Sequence, residues 1–207
     1  IEKPQYITVS DVTYAQVDSW FGHCRRDLKL DIIYPEAQDG ATYPCILWIC
    51  GGAWLMMDKS AHNLYLSRLA GSGFVVASVE YRTSNQGPYP MPLQDVKAAI
   101  RYLRANAEKL NLDPDRFAVW GNSAGGTVTQ LLEVTADEED MDDLNVGVKA
   151  SSKIDCAIAW YTISELCSAE QFGTDIYEVR KQTGAGKGMM PGDGESNDSM
   201  FTMLLGY

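Results

Sequence analysis

Near the middle of the chain the sequence reads Phe117-Ala118-Val119-Trp120-Gly121-Asn122-Ser123-Ala124-Gly125-Gly126. Its apolar start is typical of a buried strand, and residues 124–135 predict a helix directly behind it. A strand that turns sharply into a helix at Gly-x-Ser-x-Gly holds the serine at the edge of the sheet in a strained backbone. A Cβ at Gly121 or Gly125 would collide where strand and helix cross. We therefore predict that the chain is organised around Ser123 as a nucleophile.

Outward from this stretch, strand-like and helix-like segments alternate. An antiparallel pair is predicted over residues 6–15 and 28–35, with a turn at 21–23, and buried strands over 45–50, 74–79, 117–120 and 154–161. Helices are predicted over 60–70, 93–110 and 124–135, the first with Ser60 as N-cap and Gly71 after its end. This order predicts one α/β domain over residues 1–207, with a mostly parallel, doubly wound sheet behind an antiparallel N-terminal pair.

The composition narrows the class of protein. The net charge of −11 argues against partners that need basic patches, namely nucleic acid and anionic membrane surfaces. No apolar run approaches the ~20 residues that span a bilayer. The acidic run 137–143 predicts a solvated loop.

The cysteines give a prediction about the compartment. None of the five forms a CxxC pair, and Cys45, Cys50 and Cys156 fall in apolar strand-like runs, where a free thiol is usually buried. This pattern favours a reducing compartment such as the cytoplasm. Since the chain starts at Ile1 without Met, a leader would not be visible, and secretion stays open.

A second feature follows the third predicted strand, where the sequence reads Cys50-Gly51-Gly52-Ala53-Trp54. The carboxyl ends of parallel strands are where sites form in open α/β sheets. A glycine-rich loop there lets backbone N–H groups approach a carbonyl oxygen that gains negative charge during acyl transfer. We predict that the amides of Gly52, Ala53 and Ala124 form this oxyanion hole, and that the chemistry requires no metal and no organic cofactor.

A serine hydroxyl needs a base that takes its proton, and no histidine follows Ser123. His23 is predicted to be a surface residue of the early hairpin. His62 follows the glycine-rich loop at the correct edge of the sheet, but its place at the start of a helix predicts that it does not reach Ser123. Solvated carboxylates without a catalytic role are predicted at Asp155, Asp175 and Asp193.

With these residues the chain resembles the α/β-hydrolase fold, and within it the carboxylesterase/lipase group that carries a His-Gly-Gly-x-Trp loop. It is similar to small bacterial esterases that include acetyl-xylan and feruloyl esterases. The resemblance runs through residues 46–54, 80–82, 90–126 and 198–206. It implies a serine ester hydrolase that acts through an acyl-enzyme on small-molecule esters with short acyl groups, or on acetylated carbohydrate.

Three departures from the group's pattern matter. Cys50 stands where the group has His, and because the oxyanion donors are backbone amides we expect a changed loop anchor and an intact hole. Thr127 stands where many relatives have His, and we assign it no role. In this fold the acid and the histidine follow the seventh and eighth strands, and the predicted strands stop at the sixth. The resemblance thus implies a domain truncated after its sixth core strand, with the last two strands absent and both catalytic partners beyond Tyr207.

Such an open edge would be covered by a complementing C-terminal segment or by a second copy of the chain. Two other functions remain open from the sequence. Amide-cleaving relatives such as kynurenine formamidase and dipeptidyl-type peptidases share the same loop and serine turn. A hydrolase-fold protein without a complete triad could instead be a non-catalytic binding or scaffold protein.

Overall fold

The computed structural model of the protein describes residues 6–19, 23–36, 40–135, 138–143 and 147–164. Within these ranges the chain forms β1 (Tyr6–Asp18), β2 (Arg25–Pro35), β3 (Tyr43–Ile49), α1 (Asn63–Ala70), β4 (Val75–Val79), α2 (Met91–Ala105), β5 (Leu112–Asn122), α3 (Ala124–Thr135) and β6 (Cys156–Trp160). Short 3-10 helices follow at Glu108–Leu110 and Glu139–Met141. None of the helices in these ranges has the length and apolar character needed to cross a membrane. Cys167, Asp175, Asp193 and residues 198–206 lie outside the described residues.

The six strands form one mixed sheet in the order β1-β2-β4-β3-β5-β6. β2 pairs antiparallel with both β1 and β4, whereas β3 pairs parallel with β4 and β5, and β5 pairs parallel with β6. The predicted antiparallel N-terminal pair and the parallel remainder are therefore confirmed. The connections that carry α1 and α2 place β3, β4 and β5 side by side, so that the carboxyl ends of β3 and β5 are neighbours.

The strand β3 shows why the sequence of a central strand is apolar at every position. Leu47 and Ile49 belong to the core cluster that contains α2 and α3, whereas Trp48 belongs to the cluster that contains Leu66 of α1. Alternate side chains of one strand point to opposite faces, so helices on both faces bury all of them. The sheet is doubly wound, as predicted.

The start of α1 differs from the prediction. The helix begins at Asn63, and His62 occupies the N-cap without a capping hydrogen bond from its side chain. The predicted cap, Ser60, instead donates from both its amide and its hydroxyl to the Asp58 carboxylate, at 2.8 and 2.6 Å. Because this turn uses the Ser60 hydroxyl, the helix starts later. The predicted end at Gly71 is confirmed, since the Gly71 amide donates to the Ser67 carbonyl.

The sixth strand was predicted to be buried, and this prediction is wrong. β6 has only β5 beside it in the described sheet, and Cys156 is exposed, as are Ile158 at 39% and Trp160 at 46%. Trp160 still packs edge-on against Trp120 of β5, with ring centroids 4.6 Å apart. A central strand and an edge strand can have the same apolar composition. Their exposure depends on which other elements of the fold lie beside them. The predictions of buried thiols are confirmed for Cys45 and Cys50 and wrong for Cys156.

The acidic run 137–143 is not solely a solvated loop. Two basic residues of α2, Lys97 and Arg101, are almost fully buried, and both form ion pairs with Asp142. We call Lys97 and Arg101 the buried cation pair. Lys97 also donates to the Glu138 carbonyl, at 3.0 Å. The run therefore supplies one carboxylate to two buried cations and fastens its loop to α2, while Asp140 is exposed as predicted.

Candidate functional site

Ser123 occupies the single-residue turn between β5 and α3. Its φ angle is +52°, in the left-handed region that is unfavourable for a residue with a Cβ. Its amide donates to the Trp160 carbonyl at 2.9 Å, and its carbonyl accepts from the Thr127 amide at 3.1 Å. The predicted strand–turn–helix is confirmed, and neighbouring elements hold the strained serine in place.

The two glycines that flank Ser123 are needed for close approach. A Cβ on Gly121 would lie 2.3 Å from the Gly125 carbonyl oxygen, and a Cβ on Gly125 would lie 2.1 Å from the Ile49 carbonyl oxygen. Both distances are far below van der Waals contact with backbone atoms. The crossing of α3 over β3 and β5 thus admits only glycine at these positions, as the sequence predicted.

The glycine-rich loop after β3 is a tight turn with unusual backbone angles. Gly52, Ala53 and Trp54 have φ angles of +146°, +56° and +58°. The Gly52 carbonyl accepts from the amides of Leu55 and Met56, both at 3.0 Å, which closes the turn. A Cβ on Gly52 would lie 2.0 Å from the Met56 carbonyl oxygen, so only glycine fits there.

This loop lies directly against the serine turn. The Gly51 amide donates to the Asn122 side-chain oxygen at 2.9 Å. A Cβ on Gly51 would lie 2.9 Å from the Ser123 Cβ, which shows how closely the two segments approach. The parallel pairing of Ile49 with Gly121 brings them together. Gly52 and Ala53 therefore lie in the loop beside Ser123, and Ala124 is the first residue of α3.

Hydrogen bonds to backbone carbonyls hold the other side of the loop. The Tyr81 hydroxyl donates to the Cys50 carbonyl at 2.7 Å, and the Ser84 amide donates to the Trp54 carbonyl at 2.7 Å. Burial raises the pKa of both the Tyr81 phenol and the Cys50 thiol, so both are protonated at neutral pH. Cys50 stands where the resemblance implies a histidine, and the loop lies against Ser123.

The two histidines of the sequence have surroundings other than Ser123 in the described part of the chain. The His62 ring packs on Trp48, with centroids 4.9 Å apart, and its Nδ1 lies 3.9 Å from the Cys50 sulfur. His23 is exposed, as predicted. Within the described residues no hydrogen bond joins either ring to Ser123, in agreement with the prediction for His62.

Two carboxylates near the sheet have structural partners. Asp155 is exposed, as predicted for a solvated carboxylate. It also accepts from the Phe117 amide at 2.8 Å while its own amide donates to the Phe117 carbonyl, so it fastens β6 to β5. Asp95 of α2 is fully buried and accepts from the Arg82 amide and guanidinium, at 2.7 to 3.1 Å. Burial raises the pKa of the Asp95 carboxyl, and Arg82 opposes this shift. Both carboxylates are engaged in holding the strands and α2.

The sequence reasoning missed two residues of the site. Thr127, to which no role was assigned, is buried and donates to the Ile163 carbonyl at 3.0 Å, so it ties α3 to the segment after β6. Asn122 accepts from Gly51 and donates to the Tyr161 hydroxyl at 3.0 Å. Only the position of Asn122 next to the serine was a signal, since its partners are distant in sequence.

Comparison with known proteins agrees with this geometry. The BD-FAE family model matches residues 30–203, which is most of the chain. Esterase LipC of Mycobacterium tuberculosis is 38% identical over 96 residues, which are 46% of this chain and 24% of LipC. The chain thus spans only about a quarter of the length of that relative.

Solved structures show the same fold. A bifunctional GH43-CE protein of Bacteroides eggerthii superimposes with a TM-score of 0.68 and 30% identity, over 79% of this chain and 24% of that chain. A truncated form of a carbohydrate esterase from gut microbiota superimposes with a TM-score of 0.51 and 34% identity, over 65% of this chain and 45% of that chain. From the family match, the mixed sheet and the serine turn, we conclude that the chain belongs to the BD-FAE family and has the α/β-hydrolase fold.

Proposed function

We propose that the protein is a serine carboxylic-ester hydrolase of the carboxylesterase type, with Ser123 as its nucleophile. The observation that carries the proposal is the contact between the strained serine turn and the glycine-rich loop. Ser123 is half-buried and lies in a left-handed turn at the carboxyl edge of the sheet, which is the backbone arrangement that exposes a serine nucleophile in this kind of strand–turn–helix. A loop of backbone amides beside it is what acyl transfer requires.

In this mechanism the Ser123 hydroxyl oxygen attacks the ester carbonyl and forms a tetrahedral intermediate. The amides of Gly52, Ala53 and Ala124 donate to its oxyanion. Among the described residues no hydrogen bond uses these three amides, so they are available as donors. Ala124 adds the positive end of the α3 dipole. Each such donor typically contributes about 3–4 kcal/mol of transition-state stabilisation.

The intermediate then expels the alcohol and leaves an acyl-enzyme on Ser123, which water hydrolyses. A histidine takes the serine proton and returns it to the leaving alcohol. Because His62 packs on Trp48 and Cys50, and His23 lies on the surface, we assign this role to a histidine from further residues of the natural protein or from a partner chain. An acid that orients the histidine is expected from the same source.

Short acyl esters are the proposed substrates, acetylated carbohydrate among them. Similarity to a protein described as a carbohydrate esterase supports the carbohydrate assignment. The reaction consumes an ester and water, and it releases an alcohol and a carboxylic acid. It requires no electron transfer and no metal.

The test is hydrolysis of p-nitrophenyl acetate by the full natural protein, beside its Ser123→Ala and Ser72→Ala variants. Ser72 is an exposed serine after α1, so it is a control for the substitution itself. We expect Ser123→Ala to lower kcat/KM at least about a thousandfold and Ser72→Ala to leave it unchanged. A parallel assay compares acetate release from an acetylated xylo-oligosaccharide with formate release from a formamide. It shows whether the protein prefers ester or amide substrates. Equal hydrolysis by wild type and Ser123→Ala would refute the proposal and favour a non-catalytic hydrolase-fold protein.

A further inference from the structure

The Asn122 side chain joins three neighbouring strands where they end at the site. Its Oδ1 accepts from the amide of Gly51, which follows β3 by two residues, at 2.9 Å. Its Nδ2 donates to the hydroxyl of Tyr161, which follows β6 directly, at 3.0 Å. Asn122 itself is the last residue of β5 and precedes Ser123. One amide group therefore fixes the glycine-rich loop relative to the nucleophile and to β6.

The chemistry of the partners determines which way this amide points. The Gly51 amide can only donate, so the Asn122 oxygen must face it, and the NH₂ group then faces Tyr161. The Tyr161 hydroxyl can accept such a bond. Tyr161 is itself held in the left-handed region, with φ at +36°, although its side chain is 73% exposed. Tyr161 is therefore placed so that its hydroxyl accepts from the Asn122 NH₂ group.

The loop that Asn122 holds carries two of the proposed oxyanion donors. Gly52 and Ala53 follow Gly51 directly, so a shift of the Gly51 backbone would displace both donors. Gly51 has no side chain that could fix its position. An oxyanion donor must lie about 2.7–3.1 Å from the developing charge, and a misplacement of about 1 Å reduces the rate about a hundredfold.

We propose that Asn122 is a positioning residue for ester hydrolysis, which holds the oxyanion loop against Ser123 while Tyr161 orients its amide. This inference rests on the proposed hydrolase function. Asn122 does not touch the reacting atoms, and it acts through the Gly51 amide. Its loss should therefore raise the energy of the transition state and leave ground-state binding of the ester nearly unchanged.

Two substitutions of similar shape separate hydrogen bonding from packing. Asn122→Asp keeps both bonds, because one carboxylate oxygen accepts from Gly51 and the other accepts from the Tyr161 hydroxyl, which then donates. Asn122→Leu keeps neither. Tyr161→Phe removes only the orienting bond, and because this side chain is exposed the variant should fold normally.

The experiment measures kcat and KM for p-nitrophenyl acetate with the full natural protein and these three variants. Inhibition by a trifluoromethyl ketone is measured as well, since its hemiketal oxyanion occupies the same hole. We expect Asn122→Leu to lower kcat about ten- to a hundredfold with KM within about twofold, and to weaken the ketone by the same factor as kcat/KM. Asn122→Asp should recover most of kcat, and Tyr161→Phe should lower kcat several-fold.

Unchanged kcat in Asn122→Leu, equal losses in Asn122→Asp and Asn122→Leu, or unchanged kcat in Tyr161→Phe would each overturn the positioning role. If Asn122→Leu does not fold, which its thermal unfolding would show, the decision falls to Tyr161→Phe and Asn122→Asp. A wild-type protein whose hydrolysis does not depend on Ser123 would instead refute the proposed function, and the positioning role with it.

Discussion

Substitution of Gly125 by alanine should push the start of α3 away from the sheet. The new Cβ would lie 2.1 Å from the Ile49 oxygen, 2.7 Å from the Ile49 carbon and 2.9 Å from the Cys50 carbon. These are backbone atoms of the chain at the end of a central strand, so no side chain can rotate away. To reach ordinary contact at 3.4 Å, the helix start must move by about 1.3 Å from Ile49.

The expected loss of stability follows from two opposing effects. Overpacking costs up to about 3 kcal/mol when the neighbours cannot move, and replacing a helical glycine by alanine returns about 1 kcal/mol. We therefore expect Gly125→Ala to lower the free energy of unfolding by about 2 kcal/mol. Because Ser123 and the Ala124 amide move with the helix start, kcat for ester hydrolysis should fall about a hundredfold.

The neighbouring glycine of the same helix is a matched control. A Cβ on Gly126 would meet Thr162, Trp160 and Gly121 atoms at 3.0 to 3.3 Å, which a shift of a few tenths of an ångström relieves. The gain in helix propensity should nearly offset this crowding, so Gly126→Ala should stay within about 1 kcal/mol of wild type. Urea unfolding followed by tryptophan fluorescence measures both variants. If Gly125→Ala is as stable as wild type, or less harmful than Gly126→Ala, the close-approach argument fails.

Two further predictions concern buried charge and pH. Asp142→Asn should lower the free energy of unfolding by about 3 kcal/mol in urea unfolding, because it removes a carboxylate that forms ion pairs with both residues of the buried cation pair. Asp140→Asn, in the same loop but exposed, should have no effect, and equal stability of the two variants would contradict this argument. Burial raises the pKa of the Tyr81 phenol, so an unfolded chain loses this proton near pH 10 while the folded chain retains it, and stability should fall as the pH rises above about 10. Tyr81→Phe removes the hydrogen bond to the Cys50 carbonyl, so its free energy of unfolding at pH 7 should be about 1 kcal/mol lower than that of wild type. Urea unfolding at a series of pH values should show that the stability of this variant falls less steeply above about pH 10 than that of wild type. An equal slope for the two proteins would refute the argument.

The sequence was sufficient for the parts of the fold that local signals determine. The apolar run of β3 and the glycines around Ser123 have physical meaning within a few residues, and the structure confirms both. The sharp turn at Ser123 follows from the same local pattern. For these elements a residue's own neighbours in sequence are also the atoms that constrain it.

Predictions failed where distant contacts decide. The exposure of β6 depends on which elements lie beside it, and Trp160 has the same apolar character in either case. The Asp142 carboxylate pairs with Arg101 across 41 residues, so its acidic loop looks solvated in the sequence. Asn122 and Thr127 likewise gain their roles from residues after β6. Spacing in the chain carries no information on such pairs.

The Gly51–Asn122 hydrogen bond also has a consequence for the order of folding. Its partners are 71 residues apart, and α1, β4 and α2 lie between them in the sequence, so the contact closes a long loop of chain. The β1–β2 hairpin is local and closes at a much smaller loss of chain entropy. We therefore expect the β1–β2 hairpin to form before Ser123 meets the glycine-rich loop, so that activity would appear later in refolding than the hairpin does.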